Sequence, residues 1–412
     1  MGIGSCLEYY DFILYGMLAN YLSKVFFPVE NASLALMKTF SIFAIAYFIR
    51  PLGGILFGHL GDKKGRKSSF NYSILLMAVA TLSIGLLPSY SQAGMPAALA
   101  LLVCRLLQGI AQGAELPGAI TLICESNHSR RGLHSGLLFG FVGFGAGLAS
   151  LVVFLLTAFF TQQQIIAYAW RFPFLLGATI AIIAAYLRRH SHESPLFTPE
   201  EQEHLPVATV LLHYPRPLLK AMALILLPAV LIIFKLYFPQ LYGQHYTHSQ
   251  QDIYLSITVS LIFAGFYQVV AGSLSDYFGQ RPLYITASIA SALSLPFLFS
   301  WMGTQGFNAL LIGMIAYQIV LSTLVACYVP LLALSFPTSV RYTGVAIAYN
   351  CTYSIAALWP IFVGYVLEQG ATVNSIYWMI SLLALPGIIA LRQLNPTQKQ
   401  STRDINDKTP CY

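Results

Sequence analysis

The sequence predicts an all-α integral membrane protein, with twelve transmembrane helices in two pseudo-symmetric halves of six. Three observations carry that prediction. Of 412 residues, 9% are charged and 57% hydrophobic, whereas roughly a quarter of the residues in a soluble domain are charged. About a dozen apolar runs follow one another with short polar joints, each near the roughly 20 residues needed to cross the hydrocarbon. The loop "FGHLGDKKGRK" at 57–67 returns, thinned, as "GSLSDYFGQR" at 272–281. This composition excludes a water-soluble enzyme. The formal charge of +7 does not indicate a nucleic-acid partner, because the basic residues lie in the joints of a membrane chain and not on one face of a compact domain.

Hydropathy places the elements in order. Spans 1 and 2 (3–27, 36–60) end at the basic cluster Lys63, Lys64, Arg66 and Lys67. Spans 3 and 4 (70–90, 96–124) end at Arg130 and Arg131, and spans 5 and 6 (133–160, 169–187) at Arg188, Arg189, Arg216 and Lys220. In the second half, spans 7 and 8 (219–242, 253–275) lead to Arg281, spans 9 and 10 (282–302, 307–335) to Arg341, and spans 11 and 12 (342–367, 373–392) to Arg392, Lys399, Arg403 and Lys408. The odd joints hold little positive charge apart from Lys24, Lys38 and Arg171 at their edges. By the positive-inside rule the even joints and both termini are cytoplasmic. Met1 runs almost directly into span 1 without a basic n-region or a cleavage site, so that span is expected to act as its own insertion signal.

The expected divisions are a first half at 1–188, a cytoplasmic linker at 189–217, a second half at 218–394 and a short polar cytoplasmic tail at 395–412, expected to be disordered. The linker contains "RRHSHESPLFTPEEQEHLPVA". The six cysteines, Cys6, Cys104, Cys124, Cys327, Cys351 and Cys411, lie mostly within apolar segments and form no C-x-x-C pair, which indicates neither a disulfide framework nor a zinc site.

The repeated loop sits between spans two and three of each half, where Gly58, Asp62 and Gly65 match Gly272, Asp276 and Gly279. Duplicated halves related by an axis along the membrane normal are a transporter architecture, with the solute held near the midplane. Glycines permit a tight turn and close helix approach, and an Asp can cap a helix or pair with cations. Breaking and remaking such contacts biases inward-facing against outward-facing states. A basic cluster that only fixes topology is the competing reading, and the repeat weighs against it.

The string "GHLGDKKGRK" resembles the loop signature of the major facilitator superfamily. Longer strings resemble one branch of it, the metabolite:proton symporters: "LEYYDFILYG" (7–16), "YFIRPLGGILFGHLGDKKGRK" (47–67), "RLLQGIAQGAE" (105–115), "WRFPFLLG" (170–177), and "FPTSVRYTG" with "YN" (336–350). The resemblance implies carriage of proline, betaine and related osmolytes, or of carboxylates such as oxoglutarate, citrate and shikimate, generally with protons. It also implies a monomer whose spans 1, 4, 7 and 10 line the cavity. Its motif positions give a gating or structural role to Arg50, Arg66, Lys67, Arg281 and Arg341, beside the repeated Gly and Asp residues. The sequence departs from the branch at Tyr277 and Gln280, where basic residues are usual, and at Gln112, where glycine is usual. It shows neither the longer amphipathic N-terminal lead nor a C-terminal coiled coil, so osmotic sensing by such a tail is not expected.

Charged residues deep in a span are functional candidates by default. Glu8 and Asp11 share one helix face and form the first proton-site pair; the competing reading pairs them with loop cations at the cytoplasmic end. Arg105 and Glu115 stand ten residues apart on span 4, about 15 Å along one side of a helix. The Arg can hold a substrate carboxylate through a bidentate pair. Glu115 can titrate or hold a cationic nitrogen, and a structural ion pair with span 1 or 2 is the alternative. Arg50 precedes Pro51 and a Gly-rich turn of helix, which favours a structural or gating role over substrate contact. Lys235, in "FKLYFPQLYGQ", is the sole cation deep in the second half. By the resemblance it faces the acids of the first half and Arg105, where it binds a carboxylate, neutralises Glu8 or Asp11, or snorkels to an interface. Tyr237, Gln240, Tyr317 and Gln318 are candidate polar lining, with packing as the competing role.

Other motifs carry less. "GFVGFGAG" (140–147) lies inside an apolar span, where small residues let helices approach and a dinucleotide site has no place. His245 and His248, with Asp252 nearby, form a candidate metal set, against which the shortness of the loop and the unsecured third ligand weigh. No nucleophile elbow, Walker A loop or zinc-protease helix is present, so no enzyme is expected.

The sequence therefore reads as a multi-pass symporter of the cytoplasmic (inner) membrane, which takes up a small organic solute with a proton on Glu8, Asp11 or Glu115. Arg105, Lys235, Tyr237, Gln240, Tyr317 and Gln318 are the expected substrate contacts. No cofactor is expected beyond the proton as coupling ion, and the partners are the solute and the lipid bilayer. A proton-antiport exporter and a non-transporting sensor on the same fold are the alternatives.

Overall fold

The computed structural model describes residues 2–27, 32–64, 66–113, 115–126, 130–189, 206–246, 248–337 and 340–392. The side chains at 2–4, 7–8, 12, 32–33, 58–64, 66–71, 125–126, 183–189 and 206 lie outside that description. Of the expected linker, residues 190–205 are outside it and Pro206–His213 is helical; the expected tail is outside it entirely.

Twelve spans follow the apolar runs. Span 1 is Gly2–Met17 with Ala19–Phe26, span 2 Ala32–Phe48 with Arg50–Lys64, span 3 Arg66–Leu86, and span 4 Met95–Gln112 with Glu115–Ser126. Span 5 is Arg131–Phe159 and span 6 Arg171–Arg189. The second half supplies Pro215–His245 (span 7), Gln250–Phe278 (8), Gln280–Thr304 (9), Phe307–Ala333 (10), Arg341–Ala356 with Trp359–Glu368 (11), and Val373–Leu382 with Ala384–Arg392 (12). Among the described residues, nine stretches are long and apolar enough to cross a bilayer unbroken. Their outward faces are apolar, with Phe266, Leu293, Phe297 and Leu382 among the exposed residues, as a lipid-facing surface requires.

Span 6 is entered through a bend. Gln162–Ala169 and Arg171–Ile182 meet at 48°, and the turn Ile165–Ala169 is π-helical. Arg171 fixes this corner by donating to the Leu87 carbonyl at the end of span 3 (3.0 Å) and to that of Ala167 (3.3 Å). Its guanidinium also lies 4.5 Å from the centre of the Trp170 ring, a cation–π contact. The basic residue at the edge of an odd joint thus closes backbone acceptors that lipid would leave unmet.

One proline inside a span is met in the same way. Pro228 in span 7 has no N–H to offer the carbonyl four residues back, that of Leu224. The Tyr284 hydroxyl of span 9 donates to that carbonyl at 2.7 Å, so one buried tyrosine both satisfies the freed acceptor and ties two helices together.

The halves meet most extensively along spans 5 and 8, where backbone lies against backbone. A Cβ at Gly132 would overlap the Gly272 carbonyl, one at Gly136 the Gln268 carbonyl, and one at Gly140 the Gly265 carbonyl. Toward the far end of this seam, the Thr258 hydroxyl donates to that of Ser150 (2.9 Å) and the Tyr254 hydroxyl to the Met17 carbonyl of span 1 (2.8 Å). Spans 2 and 11 join the halves as well, with Ser354 donating to the Tyr47 carbonyl (2.9 Å).

Candidate functional site

Spans 1, 3 and 4 converge on a chain of buried polar side chains. Arg105 donates from a terminal guanidinium nitrogen to Gln108 Oε1 (2.7 Å), Gln108 Nε2 donates to Thr81 Oγ1 (2.7 Å), and Thr81 Oγ1 donates to Asp11 Oδ2 (2.9 Å). All four residues are buried, Arg105, Gln108 and Thr81 completely and Asp11 to within 1% exposure. One helical turn separates Arg105 from Gln108 on span 4, so the two face the same neighbour, and span 3 brings Thr81 between that pair and span 1. The second carboxylate oxygen, Oδ1, has no hydrogen-bond partner among the described residues. It packs against the backbone of Gly177 in span 6, where a Cβ would overlap it. The chain therefore holds an acid, one of whose oxygens is open to a proton, in hydrogen-bond connection with a cation.

Arg105 also faces aromatic rings, with its guanidinium 4.2 Å from the centre of Tyr15 and 5.7 Å from that of Phe43. Arg50 of span 2 lies close by. It donates to Gln112 Oε1 of span 4 and sits 3.8 Å over the Tyr47 ring, which also packs edge-on against Phe43 at 5.1 Å and near-parallel to Tyr353 at 6.1 Å. Gln112, the departure from the branch's glycine, thus anchors Arg50. Next to it, the Asn350 amide of span 11 donates to the Gly113 carbonyl (2.9 Å), which ties span 4 to the second half. Glu115 is buried and opens the helix Glu115–Ser126, where the free N–H groups of a first turn favour an acid.

The candidates of the second half divide. Lys235 is buried in span 7, and among the described residues no hydrogen bond or ion pair joins it to Asp11, Glu115 or Arg105. Tyr237 presents its ring to Phe40 of span 2 at 5.5 Å. Tyr317 donates to the Leu231 carbonyl and packs on Phe238 and Phe299. With its amide oriented to satisfy its hydrogen bonds, Gln240 donates to the Tyr237 and Leu236 carbonyls of its own helix (3.1 and 3.2 Å). Gln318 is buried, and its amide nitrogen has no acceptor among the described residues.

At the end where the repeated loop emerges, Asp276 receives two backbone N–H groups of span 5: Gly132 N donates to Oδ1 and Leu133 N to Oδ2, both at 2.8 Å. Gly272, one turn earlier, has no side chain to hold the helices apart, because a Cβ there would overlap the Gly132 carbonyl. Gly279 turns the chain with φ +87°, a conformation that suits glycine. Arg281 lies in the first turn of span 9, and Arg341, which opens span 11, donates to the Phe336 carbonyl (3.3 Å). The side chains of Glu8, Asp62, Arg66 and Lys67, with Gly58 and Gly65, lie outside the described residues. His248 turns to the Met302 carbonyl (2.7 Å), and among the described residues no cluster of three or more His, Cys, Asp or Glu forms. A cavity of about 420 Å³ lined by Trp301, Phe307 and Ile312 lies at the joint of spans 9 and 10 and holds no charged residue.

Sequence reasoning did not single out Thr81 or Gln108. Both are uncharged polar residues inside apolar runs, and only the packing of spans 1, 3 and 4 reveals what they join.

Comparison with known proteins agrees with this architecture. A family model described as the Major Facilitator Superfamily matches residues 1–246 and 221–410. The chain is 30% identical over 433 residues to the proline/betaine transporter of Salmonella typhimurium, covering 99% of this chain and 84% of the relative. It is 33% identical over 374 residues to a putative proline/betaine transporter of Staphylococcus aureus, covering 86% and 78%. Among solved structures, the xylose transporter XylE from E. coli in a partially occluded inward open conformation superimposes with a TM-score of 0.75 at 18% identity over 96% of both chains. A D-xylose-proton symporter structure does so with a TM-score of 0.75 at 19% identity, again over 96% of both chains.

Proposed function

We propose that this chain, which belongs to the major facilitator superfamily, is a plasma-membrane symporter that couples inward movement of a proton to uptake of a small zwitterionic solute of the proline or betaine type. The observation that carries the proposal is the hydrogen-bonded chain from Arg105 through Gln108 and Thr81 to Asp11. An acid and a cation joined in this way can trade partners: protonation of Asp11 removes the charge that the chain serves, and Arg105 becomes available to a carboxylate. The names of the relatives support the solute class. The two halves then rock about the bound solute between faces, with the Asp276 contact made in one state and broken in the other. The working unit is a monomer with both termini cytoplasmic, the proton is the coupling ion, and no further cofactor takes part.

The test is uptake of labelled proline and glycine betaine into proteoliposomes, with and without an inward proton gradient. Wild-type protein accumulates one of them only with the gradient. Asp11→Asn retains exchange at equal pH on the two sides but does not accumulate. Accumulation by Asp11→Asn at the wild-type level removes Asp11 as the proton carrier, and uptake of the solute only into inverted vesicles reverses the direction of transport.

A further inference from the structure

Five tyrosines from four spans gather between the halves beside Arg50: Tyr9 of span 1, Tyr47 of span 2, Tyr328 of span 10, and Tyr349 and Tyr353 of span 11. Tyr349 and Tyr353 stack with centroids 4.4 Å apart, Tyr47 lies parallel to Tyr353 within 9°, and the hydroxyls of Tyr9, Tyr328, Tyr349 and Tyr353 interact with one another. Those of Tyr328, Tyr349 and Tyr353 are buried, and among the described residues none makes a well-formed hydrogen bond. Buried hydroxyls with poorly formed partners are costly in a packed membrane protein, and a guest or water that meets them removes that cost. A helix bundle that needed only packing here would be served by Phe or Leu.

One of these rings already holds a cation on its face, since the Arg50 guanidinium lies 3.8 Å over Tyr47. Arg50 and Arg105 stand within each other's field, with Tyr47 beside both. Two buried guanidiniums that repel one another gain from a shared anion. Aromatic faces, by contrast, carry negative electrostatic potential and repel one.

We propose that this tyrosine box holds the onium end of a betaine-type zwitterion, while Arg50 and Arg105 share its carboxylate. The inference rests on the proposed function and narrows it to one class of solute. A quaternary ammonium has no N–H to donate, so ring faces and C–H contacts to tyrosine oxygens are its natural partners. Binding replaces the Arg50 cation over the ring with the solute's own, and turns Arg50 toward the carboxylate. Di- and tricarboxylates, which have nothing to place against the rings, are excluded. Because the box is built half from spans 1 and 2 and half from spans 10 and 11, a bound solute draws the two halves together.

The experiment is isothermal titration of the purified full-length chain with glycine betaine and with 3,3-dimethylbutanoate, which has the same shape and carboxylate but a carbon in place of the charged nitrogen. The wild type binds glycine betaine at least about tenfold more tightly, the range expected of desolvated cation–π contacts. Tyr353→Leu and Tyr349→Leu bring that ratio close to one, and Tyr353→Phe, which keeps the ring face and loses one hydroxyl, retains most of it. Equal affinity of the wild type for the two ligands overturns the box, and this comparison needs no variant to fold. A preference that survives both leucine substitutions overturns it too. Binding is read apart from flux: glycine betaine that binds with the expected ratio but does not accumulate with a proton gradient removes symport and keeps the box. Gradient-driven uptake of proline or glycine betaine without the ratio removes the box and keeps symport.

Discussion

Asp276 and Gly132 belong to different halves of the molecule, yet the carboxylate of one receives the backbone N–H of the other at 2.8 Å, with Leu133 completing a two-point contact. The last turn of span 8 thereby closes the first turn of span 5 with a charge-assisted pair, placed where the positive end of a helix favours an anion.

Asp276→Asn keeps the shape and removes the charge and one of the two acceptors. At about 1–2 kcal/mol for such a cap, the state in which spans 5 and 8 part at this end becomes about 5–30 times more populated. Thiol labelling of Ser135→Cys, a buried position one turn into span 5, in an otherwise cysteine-free chain accelerates accordingly. An unchanged labelling rate removes the latch role.

Thr81→Val breaks both hydrogen bonds made by the hydroxyl that joins Gln108 to Asp11. Proton-driven accumulation of labelled solute falls about tenfold or more, equivalent to the ~1.5–3 kcal/mol of a hydrogen bond to a charged group. Solute exchange at equal pH persists. Loss of both activities in parallel marks Thr81 as a packing residue only.

The pairing of Tyr284 with the carbonyl left open by Pro228 is tested by a cycle. Tyr284→Phe lowers the melting temperature in detergent through an unmet buried acceptor, by about 1–3 kcal/mol. Adding Pro228→Ala returns an N–H to the Leu224 carbonyl, so the double variant regains much of the loss. Additive destabilisation contradicts the assignment.

Spans 2 and 4 cross on small residues: a Cβ at Gly109 would overlap the Ala46 carbonyl, and one at Gly113 the Arg50 carbonyl. Gly109→Ala is expected to destabilise by about 1–3 kcal/mol, read as a lower melting temperature. Gly364→Ala, inside the helix Trp359–Glu368 with the flexible Met37 side chain as its nearest neighbour at 3.4 Å, serves as the control and does not lower it.

The architecture was legible because hydropathy reports directly on lipid: each apolar run became a span, and Asp276 advertised itself by recurring in register with Asp62. Asp11 and Arg105 were legible for the same reason, as charges where charge is costly. Their connection was not, since Thr81 and Gln108 carry no charge and only tertiary packing brings span 3 against span 4. Tyr317 and Gln240 illustrate the opposite limit: their polarity drew notice, and the structure turns both toward backbone carbonyls of span 7. The gathering of tyrosines around Arg50 was not legible: Tyr9, Tyr47 and Tyr349 lie in the strings that carry the resemblance, but Tyr9 and Tyr353 are separated by most of the chain and an aromatic residue in a membrane helix is ordinary.

The glycines along spans 5 and 8 leave the two halves with a joint that works as a bearing and not as a zipper. Interlocked side chains must climb over one another before a helix can slide or pivot, and each such step is a barrier. Where Gly132, Gly136 and Gly140 meet Gly272, Gln268 and Gly265 backbone to backbone, the surface is smooth, so friction concentrates in the few polar contacts at its ends. Opening rates should therefore respond steeply to Asp276 at one end and to Ser150 and Thr258 at the other, and weakly to apolar substitutions on the outward faces of the same two helices.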